Sequence, residues 1–525
     1  MTFDLDDFKA EAFCQTPTYN AKRYMDDNKY WLLQNAFHKT ITHETALDRI
    51  ASRTSESYFR RINIAQTAAI TYAEYVFPAY KFLLPDIVMD DWLSVIDPHR
   101  PGKRDHSLHQ PLAAYIVAKM LGYGEAEAGF RINGKPLLTI CAEIFLESPK
   151  MNYLKDYLCS LAGKEIPIKG HLRTIWAETV FYETAVMSAL FHDIGYPWQY
   201  LKTVSNSLEA IGDGFRDEDF ARRVFDKIKG KPMVFPFYAY LQTALAHPEM
   251  SYQEEVYRMI DEAYQFTHGF PGALAFTYLN DFVRRFPVDM DFAEATCRFM
   301  QDWAALGIMM HDMPRLYQGK GVKVPRPQYH LSMYVDPLSC LISLADILEE
   351  FGRPAASFTS SADSTTISYD YPCLQTELDV SGNHLTINYV YGTKGDRLEC
   401  ESKCRSEVDS YFNDKNSFID LSSIGIEGVV CTTSHVTDPQ KQRVIFKKHL
   451  LRALLSILPQ RGEGKIVKVG SNVLSRFKDM DLTALMDNDI QNAVQNYPYL
   501  FKYIQADSTP NELVFVDIVP HDMDV

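Results

Sequence analysis

The sequence predicts a mainly α-helical chain that closes with a smaller α+β domain, and two observations carry that expectation. Up to about residue 355, apolar residues recur at helical spacing in stretches bounded by Pro or Gly. From Ser357 onward the pattern turns to alternation, with LQTELDV and HLTINYVY separated by the short turn SGN. The helical stretches run over roughly 62–84, ending at Pro85, and over His109–Leu121, where Gly122 supplies a C-cap. Others follow at Trp176–Phe191 and near 254–266, 272–285, 292–310 and 337–350. An insertion over roughly 123–175 mixes strand-like and helical fragments, PLLTICAEIFL among them. In the second part, SFTSSADSTT reads as a Ser/Thr-rich connector. Leu385, Ile387 and Tyr389 share one face of a hairpin strand, and KQRVIFKKHLLRALLSIL (441–458) reads as a basic amphipathic helix whose charged side is a solvated face. NELVFVDIV reads as a last strand. The expected division is an N-terminal helical region (1–100) packing on a helical core (101–355), then the α+β domain (356–525).

At roughly 150 residues per domain, 525 residues suggest two to four domains. Hydrophobic residues at 46% and charged residues at 23% exclude wholesale disorder. Lys and Arg number 53 against 68 Asp and Glu, a net charge of −15. Such a surface repels a nucleic-acid backbone unless basic residues are concentrated locally, and clusters such as Lys447-Lys448 are isolated. The nine cysteines are odd in number and form no CxxC pair, so neither a disulfide framework nor a zinc knuckle is expected. MTFDLDDFKA is acidic where a signal peptide would be basic, and no apolar run approaches the roughly 18 residues of a membrane span. These features predict a soluble, cytoplasmic protein. GEGKIVKVG (Gly462–Gly470) lacks P-loop spacing and reads as a hairpin turn.

Chemistry enters where histidines and aspartates interrupt apolar helices. The segments are RDHSLHQ (104–110), ALFHDIGYPW (189–198), FTHGFPGAL (266–274), GIMMHDMP (307–314) and LISLADILEEFGRP (341–354). A carboxylate such as Asp346 or Asp193 inside an apolar helix is costly unless a cation or hydrogen-bond donor neutralises it. His311, after Ile308-Met309-Met310, poses the same problem. Imidazole and carboxylate donors suit Mn, Fe, Co, Ni, Zn or Mg. Two His and two Asp would hold one such ion; two further histidines leave room for a second, with one aspartate bridging. His247 in AHPEM and His171 in HLRTIW read as structural.

The order H…HD…D, with HDIGYP ending an apolar helix and LADILEE far downstream, resembles the HD-domain superfamily of metal-dependent phosphohydrolases. The resemblance covers about residues 100–355 and implies an HD-type helical core. Carried over by position, it implies His109, His192, Asp193 and Asp346 as core metal ligands, with His268 and His311 as second-metal ligands. The first ligand is open between His106 and His109; His109 is preferred because Ala113, Ile116, Val117 and Met120 follow it at helical spacing. His106, a turn earlier, would then contact phosphate or act as general acid, and Asp193 is the other catalytic candidate. Arg104, Tyr196 and Trp198 are candidates for substrate binding, the aromatic pair by stacking on a base. The implied activity is hydrolysis of a small nucleotide, a (deoxy)nucleoside triphosphate first, by metal-activated water at phosphorus. A cyclic nucleotide or cyclic dinucleotide phosphodiesterase ranks close behind, and a nucleotide-binding sensor with a regulatory HD site is a third reading. The expected partner is thus a small nucleotide rather than long nucleic acid or membrane, and a homo-oligomer is compatible with the sequence.

Overall fold

The structure, a computed structural model, describes residues 1–4, 69, 106–122, 129–198, 220–234, 254, 257, 260–264, 267–283, 290–313, 331–351, 356–360, 364–369, 373–413, 419–438, 466–469, 501–504 and 513–517. These residues are mainly helical, with strands concentrated towards the C-terminus. In chain order the elements are β1 (Thr2–Phe3), α1 (His106–Leu121), β2 (Arg131–Ile132), β3 (Lys135–Pro136), α2 (Leu137–Glu147), α3 (Asn152–Ala162), α4 (His171–Phe191), α5 (Phe220–Ile228), α6 (Gly269–Val283) and α7 (Phe292–Met310). They continue with β4 (Leu331–Ser332), α8 (Pro337–Leu348), β5 (Ala356–Ser360), β6 (Ser364–Tyr369), β7 (Cys373–Ser381), β8 (His384–Tyr391), α9 (Lys394–Phe412), β9 (Ile419–Asp420), β10 (Gly428–His435), β11 (Ile466–Val469), β12 (Phe501–Ile504) and β13 (Leu513–Asp517).

Helix α4 is the axis of the helical part. Its residues from Trp176 to Phe191 are buried save for Glu178, and it packs against α1, α2, α7 and α8. A helix apolar all round needs such complete enclosure. Phe145, Phe181, Phe299 and Trp303 fill the space beside it with ring contacts of 4.9–5.8 Å between centroids. Helix α7 starts with a capping box between Asp291 and Glu294, which satisfies the first free amides of a long buried helix. Close approach of α7 to its neighbours needs Gly307. A methyl group there would lie 2.2 Å from Ser188 Oγ on α4 and 3.1 Å from Leu338 on α8. Ser188 uses that proximity to donate to the Ala304 carbonyl (3.1 Å).

The strands form a four-stranded sheet of order β1-β7-β8-β10 and a five-stranded sheet of order β12-β13-β11-β6-β5. The SGN turn joins β7 and β8 as expected, with Gly382 at φ +62°. On β8, Leu385, Ile387, Tyr389 and Tyr391 are buried while the residues between them are not. Helix α9 connects β8 to its parallel neighbour β10 and packs against both. Two features tie this sheet to the helices that carry the site. Lys119 of α1 donates to the Thr2 carbonyl of β1, and Tyr389 donates to the Ile347 carbonyl of α8 (3.0 Å).

Several expectations are corrected. The described residues of the Ser/Thr connector, 357–360 and 364–366, are strand, β5 and β6 paired antiparallel, because alternating Ser, Thr, Phe and Ile suit a pleated surface. Within GEGKIVKVG, Ile466–Val469 is not a turn but β11, paired with both β6 and β13. The insertion resolves into the β2–β3 hairpin and helices α2 and α3. Most of the 62–84 stretch, all of the basic 441–458 stretch, Arg104 and His247 lie outside the described residues, as does the side chain of His106, the first residue of α1. No helix among the described residues is long and apolar enough to cross a membrane.

Candidate metal centre

Five helical segments converge on one buried point. His109 comes from the first turns of α1, His192 and Asp193 from the end of α4, His268 from the residue preceding α6, His311 from the end of α7, and Asp346 from the last turn of α8. The four imidazoles are at most 1% exposed, Asp193 is 3% and Asp346 is 8%. The six metal ligands expected from sequence therefore come together.

Asp193 divides the group into two triads: His109, His192 and Asp193, and then Asp193, His268 and His311. Its Oδ1 lies 2.9 Å from His268 Nε2, 3.4 Å from His311 Nε2 and 3.5 Å from His192 Nε2, while its Oδ2 lies 3.4 Å from His109 Nε2. Asp346 adjoins the first triad, with Oδ1 3.2 Å from His109 Nε2 and 3.9 Å from His192 Nε2.

Every imidazole turns Nε2 inward, and three of the four have Nδ1 hydrogen-bonded from behind; His268 Nδ1 is near a carboxylate oxygen without a hydrogen bond to it. His192 Nδ1 donates to the Ala189 carbonyl (2.6 Å) and His311 Nδ1 to the Ile308 carbonyl (2.7 Å). A carbonyl only accepts, so the proton sits on Nδ1 and the Nε2 lone pair faces the centre. His109 Nδ1 contacts the Glu349 carboxylate, and His268 Nδ1 lies 2.8 Å from Asp312 Oδ2. The inward nitrogens meet in pairs, His109 with His192 at 3.1 Å and His268 with His311 at 3.0 Å. Such a pair is relieved either by a proton on one Nε2 or by a cation between them. Donors each about 2.1 Å from a shared ion, at near right angles, stand about 3 Å apart. The donor set and its spacing thus fit a divalent ion in each triad.

His192 and His268 differ in their electrostatics. Burial pushes His192 down to about 3, so its lone pair stays available. Burial also acts on His268, but the carboxylates of Asp312 and Asp193 and the neighbouring Tyr196 outweigh it and hold its pKa well above the ordinary histidine value. A metal cation bound at that nitrogen would displace this proton, so loading of this half is pH-dependent.

Glycines let the pieces approach. A methyl group on Gly195 would lie 1.7 Å from the His268 carbonyl oxygen, and one on Gly269 would lie 2.6 Å and 2.8 Å from the carbonyls of Ile308 and Met309. The start of α6 is thereby wedged between the ends of α4 and α7. Among the substrate-binding candidates, Tyr196 stacks on His268 at 3.9 Å between centroids and 16° between planes. It therefore gives one face to a ligand histidine rather than to a base. Trp198 is 40% exposed.

Sequence reasoning missed Asp312 and Glu349. Asp312 sits in an HD dipeptide that looks like a chance repeat, and Glu349 follows Asp346 by three residues beside a second glutamate; the structure buries both. Comparison with protein-family models, curated proteins and solved structures finds no match.

Proposed function

We propose that the chain is a metal-dependent phosphohydrolase of the HD-domain type that acts on a small nucleotide, a (deoxy)nucleoside triphosphate foremost. The observation that carries the reading is the pair of buried triads sharing Asp193, built from side chains in the sequence order expected of that superfamily. His109, His192, Asp193 and Asp346 would hold one divalent ion; Asp193, His268 and His311 would hold another. Such ions, when bound, acidify water and neutralise phosphate charge. The chain's own contribution is to hold the donors aimed at the centre and to exclude bulk water by burial. A net charge of −15 argues for a small substrate over long nucleic acid.

The second triad gives specific weight to another reading, a phosphodiesterase acting on a cyclic nucleotide or cyclic dinucleotide. Purified protein with Mn or Co, incubated with dNTPs, NTPs and cyclic nucleotides, separates the two by product. Tripolyphosphate or pyrophosphate released from a triphosphate supports the first; a linear monophosphate or dinucleotide formed from a cyclic substrate supports the second. Loaded protein that turns over none of them, with His192→Ala indistinguishable from wild type, would shift the reading to a nucleotide-binding sensor.

A further inference from the structure

The four imidazoles are supported in two different ways, and the difference is distributed evenly. In the first half, His192 is backed by a carbonyl of its own helix and His109 by the Glu349 carboxylate. In the second, His311 is backed by a carbonyl of its own helix and His268 by the Asp312 carboxylate. A carbonyl fixes the ring's orientation; a carboxylate also raises the basicity of the distal nitrogen. Each half therefore pairs one imidazole oriented by a carbonyl with one strengthened by a carboxylate.

We propose that Glu349 and Asp312 are a matched pair of positioning residues, each setting the metal affinity of its own half of the centre. The inference rests on the reading that the cluster holds divalent ions. Glu349 is 0% exposed and stands at the C-cap of α8, where the chain leaves helical geometry at φ −83°, ψ 66°. Its Oε2 meets His109 across 240 residues of sequence, and its Oε1 has no hydrogen-bond partner among the described residues. A buried carboxylate held by one imidazole is a poor structural device, since desolvation outweighs a single neutral contact. It becomes favourable when that imidazole carries the positive charge of a metal. Asp312 is 1% exposed, and the oxygen beside His268 Nδ1 also accepts the backbone N–H of His268 (2.8 Å). It anchors the start of the segment bearing the ring and places a negative charge beside Nδ1, to which it makes no hydrogen bond.

The test is stepwise titration of metal-free, full-length protein with Co²⁺ alone, read by visible absorption and calorimetry. The step missing in His311→Ala marks the second half. Wild type is expected to show two steps. Glu349→Gln is expected to weaken the first-half step by about 10–100-fold and to spare the other, and Asp312→Asn to do the reverse. Both changes keep size and hydrogen-bonding capacity and remove charge. Should either protein fail to fold, Glu349→Asp and Asp312→Glu, which keep the charge but move it, are expected to weaken the same single step by a smaller factor. Equal loss at both steps, or no loss at either, overturns the proposal while leaving the metal centre standing. Wild type that binds no Co²⁺ removes both.

Discussion

The ends of α4 and α7 carry the same dipeptide in the same local conformation and use it differently. His192 sits at φ −61°, ψ −35°, and His311 at φ −61°, ψ −30°. Each imidazole donates to the carbonyl three residues before it, so each Nε2 faces the centre. The aspartates then diverge. Asp193 enters the centre and touches both triads, whereas Asp312 lies behind His268. The helix end alone therefore determines where the histidine points. What the following carboxylate does depends on the element packed beside it, here the segment at His268–Gly272 that fits between the two turns.

The sharpest way to break this comparison is to remove each aspartate in turn. Asp193→Ala is expected to abolish turnover and to reduce bound metal to near zero, because both sites lose a ligand and the repulsion of two dications goes unscreened. Asp312→Ala should leave the first half loaded. Metal analysis of the purified variants decides it, and two ions retained by Asp193→Ala would mean that the shared carboxylate bridges nothing. His311→Ala, one step down in severity, should retain about one ion and lose most activity. Stability should follow the same logic. Chelation leaves Asp193 and Asp346 buried without a compensating cation, so it should lower the melting temperature of wild type and much less that of Asp193→Ala. An unchanged wild-type melting temperature after verified metal removal would falsify the buried binuclear centre.

A smaller expected effect concerns the packing that makes the two turns differ. Gly195→Ala places its methyl group on a backbone carbonyl oxygen, which cannot rotate away. A cost of about 3 kcal/mol or more is expected in denaturant unfolding, with metal lost first from the half that contains His268. Loss confined to the His109 half would show that the wedge at α6 does not separate their roles.

Most of the centre was legible because its residues break a rule: charged or titratable groups in the middle of apolar helices. Asp346 inside LISLADIL and His311 after GIMM are conspicuous in that way. Asp312 was equally conspicuous but redundant, since a second HD pair adds nothing until the position of His268 is known. Glu349 was masked by Glu350, as paired acids near a helix end ordinarily face water. The β7–β8 hairpin could be read because both its periodicity and its turn are local. Pairing of Thr2 and Phe3 with Glu377 and Thr376 could not, being a contact across the length of the chain with only two residues of pattern. The Ser/Thr stretch at 357–366 went astray because small polar residues mark connectors and strands alike, and pairing with β11 decides between them.

The smallest effect tests whether the two halves lean on separate scaffolds. Only the first half draws a ligand from α8, and α8 is capped by Asp336, whose oxygens accept the Ser339 N–H (3.0 Å) and hydroxyl (2.6 Å). Asp336 is 3% exposed, and burial raises its pKa from 3.8 to about 6. The folded state thus holds this proton over a range in which the unfolded chain has lost it. The contribution of Asp336 to stability is fully present below pH 3.8 and is lost as pH rises through about 6. Asp336→Asn retains an acceptor for the Ser339 N–H and removes the ionisation, so its own stability should lack that decline. Relative to wild type, the variant should gain about 3 kcal/mol between the acidic and neutral ends of that window. Urea midpoints of the metal-free proteins, compared at each pH, measure the difference, and the titrations of the shared histidines cancel in it. Parallel curves would mean that Asp336 ionises in the folded protein as it does in the unfolded chain. A parallel Co²⁺ titration should show the His268 half unmoved, since none of its ligands comes from α8.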